Sequence, residues 1–354
     1  MSKSENIVSL EDVSVYFETG GGWFSWFNKP EVVHAVDGVS LDIQERDVVA
    51  LVGESGCGKT TVGKTAIGLQ RPTDGAIKYR GQDIWSAREN PKESTIPYKQ
   101  IRRSLQIIHQ DPGSSLNGYK RIMHTLSMPL KKWEPHLSRE ERQARILAML
   151  EEVGMTPPED YAERFPHQLS GGEKQRVALI RALLMEPDLI LADEAISALD
   201  VSLRIDMMDL FIDLQEQFGT SFLFISHDLS NAAYLARKAG GRIGVMYLGE
   251  IVEIGPVDEI ITNPQHPYTR VLMWATSDIH DDAEKDELPM RKIDIPDPKD
   301  PPSGCRFHTR CPEARDICQR QAPDLVNVMN NHQSQCFRTI PDHEYWDSEP
   351  ISED

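Results

Sequence analysis

Gly53-Glu54-Ser55-Gly56-Cys57-Gly58-Lys59-Thr60 is the stretch that decides the fold. Gly53, Gly58, Lys59 and Thr60 fit the spacing G-x-x-x-x-G-K-[ST] of a phosphate-binding loop. Val48 to Val52 before it is an apolar run that reads as a short buried strand. Thr60 to Leu69 after it reads as a helix. Strand, glycine loop and helix is the context the motif requires. The glycines let backbone amides turn inward around phosphate oxygens, and the helix N-terminus adds partial positive charge. Lys59 can reach the β- and γ-phosphates, and Thr60 can set its hydroxyl on Mg²⁺. The expectation is a nucleoside triphosphate held with Mg²⁺ by Gly53, Glu54, Ser55, Gly56, Cys57, Gly58, Lys59, Thr60 and the adjoining Thr61. The loop alone does not say what hydrolysis is for.

Working outward, the chain has 354 residues, room for one large domain and a smaller one. The net charge is 38 − 56 = −18, which argues against a nucleic-acid binder, whose footprint is basic. No apolar run approaches the roughly 20 residues of a membrane span. Met1 to Asn6 lack the apolar core of a signal peptide, so the expected location is the cytoplasm. Residues 7 to 17 alternate as a strand does, and Val32 to Ile43 reads as a strand pair. Between them Gly20-Gly21-Gly22 leads into Trp23, Phe24, Trp26 and Phe27, a loop that either folds back on its own sheet or meets a partner. Strands are expected near Ala76 to Tyr79, Leu105 to His109, Leu189 to Asp193 and Ser221 to Ser226, with a late hairpin over Gly241 to Gly255. Ser138-Arg139-Glu140-Glu141 opens a helical pattern with the form of a capping box. Strands alternating with helices predict an α/β fold with a parallel sheet covered on both faces. Residues 278 to 303, acidic and proline-rich, read as a linker or extended wrap.

Two further stretches narrow the chemistry. Leu189 to Glu194 is an apolar strand that ends in paired carboxylates. Asp193 is placed to hold Mg²⁺ and Glu194 to polarise the attacking water. Leu169-Ser170-Gly171-Gly172-Glu173 precedes a helical pattern, with Ser170 a candidate cap and small residues that open backbone amides to an anion. These segments, in this order, resemble the ATP-binding cassette family, whose signature reads LSGGQ; Glu173 stands here for the usual glutamine. The resemblance implies a P-loop ATPase core, a RecA-like parallel sheet with an antiparallel β subdomain, carrying an inserted helical subdomain over about 111–180. It also implies that Gln110 senses Mg²⁺ and the membrane subunit, that Ser197 to Asp200 form the D-loop with Asp200 at the dimer contact, and that His227 is the switch histidine. Phe17, with Tyr16 as second choice, would stack on adenine. The catalytic set is then Glu194, His227 and Gln110, and Mg²⁺ falls to Thr60, Gln110 and Asp193. Ser170, Gly171, Gly172 and Glu173 would touch the ATP of a partner subunit in a head-to-tail sandwich. One departure stands out: Asp-Glu-Pro-Thr-Ser of the family is here Asp193-Glu194-Ala195-Ile196-Ser197, a turn less rigid without proline.

Other segments resemble the oligopeptide/dipeptide importer branch. They are Val36 to Ser40, Gln110 to Asn117, Met246 to Pro256, Asn263 to Thr269 and the tail from Pro301 to Pro312. The insertion between Phe17 and Val33 resembles the second ATPase subunit of such importers. The implied machine has two different ATPase chains on the cytoplasmic face, two transmembrane permease subunits and an extracytoplasmic solute-binding protein. Its cargo is peptide, with oligosaccharides or nickel in close relatives. A soluble cassette ATPase without a transport role, or a protein that binds ATP without hydrolysing it, are the rival classes. The expected division is a nucleotide-binding domain over 1–265 and a C-terminal extension over 266–354. Cys57 lies in the phosphate loop, whereas Cys305, Cys311, Cys318 and Cys336 crowd into the tail. Their spacing, C-x₅-C-x₆-C-x₁₇-C, lacks the C-x₂₋₄-C knuckle of structural zinc sites. Four thiols with Pro312 after Cys311 suit a [4Fe–4S] cluster, with Zn²⁺, or free or disulfide-linked cysteines, as alternatives.

Overall fold

The computed structural model describes residues 5–19, 31–276 and 290–351. In chain order the first strands are β1 (Asn6–Thr19), β2 (Glu31–Gln44), β3 (Val48–Val52), β4 (Asp74–Tyr79), β5 (Gln82–Asp83) and β6 (Leu105–Ile108). The later ones are β7 (Leu189–Asp193), β8 (Ser221–Ile225), β9 (Arg242–Tyr247), β10 (Glu250–Pro256), β11 (Val326–Met329) and β12 (His332–Ser334). The chain divides into two compact units. One comprises Met1–Val8, Ile43–Asp47 and Lys78–Ile225; the other comprises Ser9–Asp42, Val48–Ile77 and Ser226–Asp354.

In the first unit β6, β7 and β8 pair in parallel, in the registers Leu105↔Leu189 and Leu189↔Ser221. Every residue of β7 and β8 is buried, which is why these strands are apolar throughout instead of alternating. Helices Ile122–Trp133, Arg139–Glu152, Pro158–Glu163 and Gly171–Leu183 supply the helical part of this unit, with Leu126, Leu130, Ile146 and Leu150 in its core. The helix at Arg139 starts on the capping box its sequence announces. Ser138 Oγ accepts from the Glu141 amide at 3.1 Å, and Glu141 Oε2 accepts from the Ser138 amide at 2.7 Å.

In the second unit β3 pairs in parallel with β9, from Val49↔Arg242 to Val52↔Val245. β10 folds back on β9 as the expected hairpin. The tail then adds β12 to β10, at Glu253↔Ser334, and β11 to β12. The cysteine-bearing tail is thus built onto the sheet that contains the phosphate strand. A four-stranded sheet has the order β2-β1-β4-β5. The strand pair expected over Val32 to Ile43 is one strand, β2. Gly38 sits in it at φ 64° with its amide donating to Ser14 Oγ at 3.0 Å. Residues 290 to 303 run as an extended wrap: the Arg291 amide donates to Arg310 O at 2.9 Å, and the His34 amide to Pro298 O at 3.1 Å. The aromatic-rich loop 20–27 and the linker residues 278–289 lie outside the described residues. Among the described residues no helix is long and apolar enough to cross a membrane.

Candidate nucleotide site

In the second unit, β3 is buried at every residue and delivers the chain into the phosphate loop. Gly53 adopts φ 151° and Gly58 φ 105°. A Cβ at Gly53 would lie 2.2 Å from Met246 O, and one at Gly58 would lie 2.1 Å from Ala35 O. Both neighbours are backbone and cannot yield, so only glycine fits. Ser55 and Gly56 form the exposed tip, and Thr60 and Thr61 are half-buried in the first helical turn. Helix Lys59–Ala66 begins at Gly58 without a side-chain cap. No side-chain oxygen therefore caps its leading turn, the arrangement an anion at a helix N-terminus can complete. Lys59 is 5% exposed and its Nζ donates to Gly53 O at 2.7 Å and Glu54 O at 2.9 Å. The ammonium is curled onto its own loop, where a phosphate oxygen can compete for it. Cys57 is buried beneath, and burial pushes its thiol up in spite of the neighbouring Lys59.

The same unit carries His227 and the aromatics of β1. The Ser226 amide donates to Leu51 O at 3.1 Å, which ties the residue before His227 to the strand that enters the phosphate loop. His227 is exposed, and Asp228 caps the next helix through the Ser230 amide at 2.8 Å. Tyr16 is engaged on both sides. Its hydroxyl donates to Asp37 Oδ1 at 2.6 Å and its ring lies 4.5 Å from that of His34. Phe17 is 38% exposed. Two contacts to the loop come from residues that local patterns cannot flag. The Glu54 amide meets Tyr268 Oη at 2.9 Å, and both oxygens of the Glu54 carboxylate accept from Arg310 at 2.8 and 2.9 Å.

The first unit carries the remaining candidates. Asp193 ends β7 and is 8% exposed. Glu194 is held at φ 52°, a left-handed conformation that costs a non-glycine residue on the order of 1–3 kcal/mol and often marks functional positions. Its amide donates to Ile225 O at 3.1 Å, and its carbonyl accepts from the Ser197 amide at 3.1 Å and Ser197 Oγ at 2.8 Å. These bonds close the turn that lacks proline, while Ala195 and Ile196 are buried at its centre. Gln110 is exposed just beyond β6. Ser170 caps helix Gly171–Leu183 in a full capping box. Its Oγ accepts from the Glu173 amide at 3.3 Å, and Glu173 Oε2 accepts from the Ser170 amide at 2.7 Å. Glu173 also accepts from Tyr161 Oη at 2.9 Å. Burial alone would raise its carboxyl, but the hydrogen bonds from Ser170 and Tyr161 outweigh it and hold the group below the usual range. Asp200 is exposed beside this helix start. A Cβ on Gly171 would meet Leu199 at 3.8 Å, and one on Gly172 would meet Leu203 at 4.0 Å, so signature and D-loop share one face.

The four tail cysteines line a single cavity together with His266, Phe307, Phe337 and Tyr345. All four are unpaired thiols. Cys305 and Cys318 are joined through the backbone, Cys305 N to Cys318 O at 2.8 Å. Burial pushes the Cys311 thiol up to about 12 and that of Cys336 up to about 11. Among the described residues, however, no group of three or more His, Cys, Asp or Glu side chains stands close enough to hold a metal ion.

The family model for ABC transporters matches residues 36–197, and that for the oligopeptide/dipeptide transporter C-terminal region matches residues 252–318. The chain is 40% identical over 336 residues to the oligopeptide transport ATP-binding protein AppF of Bacillus subtilis, covering 95% of this chain and 98% of that protein. It is 38% identical to the oligopeptide transport ATP-binding protein OppF of Escherichia coli, over 95% and 97% of the two chains. Among solved structures it is similar to the dimeric, post-hydrolysis ATP-binding cassette MJ0796 bound to ADP and Pi. There the TM-score is 0.58 at 27% identity, over 71% of this chain and 98% of the other. An uncapped phosphate loop, a capped signature helix and a cysteine tail joined to the phosphate sheet therefore sit in a chain that belongs to the ABC transporter ATPase family, in the branch with the oligopeptide/dipeptide transporter C-terminal region.

Proposed function

We propose that the chain is one ATPase subunit of an importer that draws peptides across the cytoplasmic membrane. The observation that carries the reading is the likeness, over nearly the whole chain, to proteins named for oligopeptide and di/tripeptide transport. In this reading Lys59 leaves the carbonyls of Gly53 and Glu54 for the β- and γ-phosphates of ATP, and Phe17 stacks on adenine. Thr60, Asp193 and Gln110 serve Mg²⁺, Glu194 activates water and His227 meets the γ-phosphate. Ser170, Gly171, Gly172, Glu173 and Asp200 act on the nucleotide of a second, different ATPase subunit. Support comes from exposure: on the helix after the D-loop Val201 is 71% exposed and Ile205 42%, four residues apart and so on one apolar face suited to a partner. Two permease subunits complete the machine, and through them it serves an extracytoplasmic binding protein. A cavity of about 720 Å³ in the helical part, lined by Arg121, Lys131, Arg139 and Arg142, suits a permease segment with acidic side chains. The chain then sits peripherally on the cytoplasmic face.

The tail cavity is read as the seat of a [4Fe–4S] cluster on Cys305, Cys311, Cys318 and Cys336. Four unpaired thiols around one space are the right donor chemistry, and their spacing departs from the zinc knuckle. Loading needs deprotonation of the raised thiols and their closure on the cluster. ATP hydrolysis needs no electron transfer, so the role is to staple the tail. Two experiments test these readings. Co-expression with its neighbouring membrane proteins should give a complex whose ATPase responds to peptide-loaded binding protein; a complex that responds to oligosaccharide or Ni²⁺ instead would overturn the cargo. Anaerobic purification should yield brown protein with about four iron atoms per chain. Stoichiometric zinc without iron would overturn the cluster. Cys318→Ser should lower the metal content, and Cys57→Ser should not.

A further inference from the structure

Arg310 lies one residue before Cys311 and is 1% exposed, among the largest fully buried side chains of the protein. Its guanidinium is aimed by an aromatic cage, 5.6 Å from the Tyr247 ring centre and 5.8 Å from that of Phe307. Nη1 also reaches Tyr247 Oη at 3.4 Å and Nε reaches Lys292 O at 3.4 Å. What it is aimed at is the phosphate loop. Nη1 and Nη2 donate to the two oxygens of Glu54, a bidentate pair in the residue after Gly53. We propose that Arg310 is a positioning residue of the ATP site, whose charge cancels that of Glu54 in the loop that must hold a triphosphate.

Mg-ATP carries net negative charge into a loop whose own cation is Lys59 and whose own anion is Glu54. Unopposed, the carboxylate offsets Lys59 and repels the incoming phosphates. The Glu54 side chain is 24% exposed, so solvent screens it only in part. The tail supplies the missing positive charge from outside the loop. The pair also fixes the loop conformation, together with Tyr268 Oη on the Glu54 amide. A second arginine of the same tail segment behaves alike at the β1 end. Arg306 pairs with Asp37, the acceptor of the Tyr16 hydroxyl, and with Glu250 at 3.0 Å. The cysteine tail therefore reaches the nucleotide unit through arginines placed next to Cys305 and Cys311.

The inference rests on Gly53 to Thr60 being the ATP site, which Lys59→Ala checks separately: if that variant keeps its affinity, the site reading fails and not only the role of Arg310. The test is Mg-ATP binding by the full chain, with KM and kcat alongside. Arg310→Met should weaken ATP binding about tenfold, the scale of leaving one carboxylate unpaired beside the ligand, with kcat at saturating ATP changed less than about threefold. Adding Glu54→Gln to Arg310→Met should restore affinity to within about threefold of the parent, because the repelling charge is gone. A purely structural clamp would not be rescued by removing its second half. Glu54→Gln alone should bind ATP more tightly than the parent, because the charge of Arg310 is then no longer cancelled beside the loop; this variant decides the matter if Arg310→Met does not fold. An Arg310→Met affinity within about twofold of the parent, a double variant no better than the single, or no gain in Glu54→Gln would each overturn the proposal.

Discussion

The helices Lys59–Ala66 and Gly171–Leu183 both carry glycine at their starts, and they are built on opposite plans. Helix Lys59–Ala66 starts at Gly58 in a left-handed conformation with no side-chain cap, and its lysine is folded back on loop carbonyls. Helix Gly171–Leu183 starts at Ser170 with a full capping box, braced further by Tyr161. The first end has no side-chain cap and relies on the surrounding fold to hold its shape. The second satisfies its own first donors and needs no ligand to form. The two ends therefore draw binding energy from different sources. An uncapped end gains most when phosphate arrives, because the anion replaces a missing cap. A capped, exposed end can add to a site already assembled elsewhere.

The sharpest test makes the same substitution at both ends. Gly58→Ala must place a Cβ 2.1 Å from Ala35 O at φ 105°, whereas Gly171→Ala meets only an ordinary contact with Leu199 at 3.8 Å. Nucleotide affinity should fall by at least about a hundredfold in Gly58→Ala, while Gly171→Ala should keep stability within about 0.5 kcal/mol. Equal outcomes in calorimetric titration and thermal unfolding would erase the contrast. Next in size, Glu194→Gln separates binding from turnover. It should lower hydrolysis about a hundredfold, the scale of losing a positioned base, and leave ATP affinity intact. Retained turnover would remove Glu194 from the catalytic role.

Smaller effects belong to the capped end. Ser170→Ala removes the cap and should cost about 1 kcal/mol of stability in denaturant titration, with no loss of ATP binding to the chain's own phosphate loop. Reduced binding to that loop would show the two ends to share one nucleotide within a single chain. Glu173→Gln is the mildest, because glutamine also closes a capping box; stability should stay within about 0.5 kcal/mol at neutral pH. The two side chains should diverge in acid. The folded carboxyl of Glu173 lies below its unfolded value. Its contribution is thus present above the unfolded value and is lost as pH falls through the folded one. Glutamine has no such loss, so the variant should show a flatter acid limb in unfolding scans. Identical limbs would mean that the carboxylate does not strengthen the cap.

Much of this contrast is legible without coordinates, because it is local. Gly53, Gly58, Lys59 and Thr60 lie within eight residues, and strand, loop and helix follow from patterns only a little longer. The Ser138 and Ser170 caps were equally readable, each with an acidic residue three positions on. Where reading failed, a non-local contact was at work. Val32 to Ile43 reads as a strand pair, yet it is one strand, β2, in which the Gly38 amide is held by Ser14, 24 residues earlier. Glu194 could be named for its carboxylate but not for its left-handed backbone, which depends on the Ile225 carbonyl of the neighbouring strand.

By itself the amino-acid order determined the class of machine: a phosphate loop, a carboxylate-ended strand and a signature helix, each a short-range device whose spacing is its chemistry. It also supplied the four thiols of the tail. The tertiary structure alone decided that those thiols line one cavity, that the tail extends the phosphate sheet, and that Arg310 grips Glu54 across 256 positions. The physical reason is that spacing along the chain constrains geometry over a few turns at most. A bidentate ion pair between distant residues requires a guanidinium already aimed by Tyr247 and Phe307, and that cage exists only once the tail has packed.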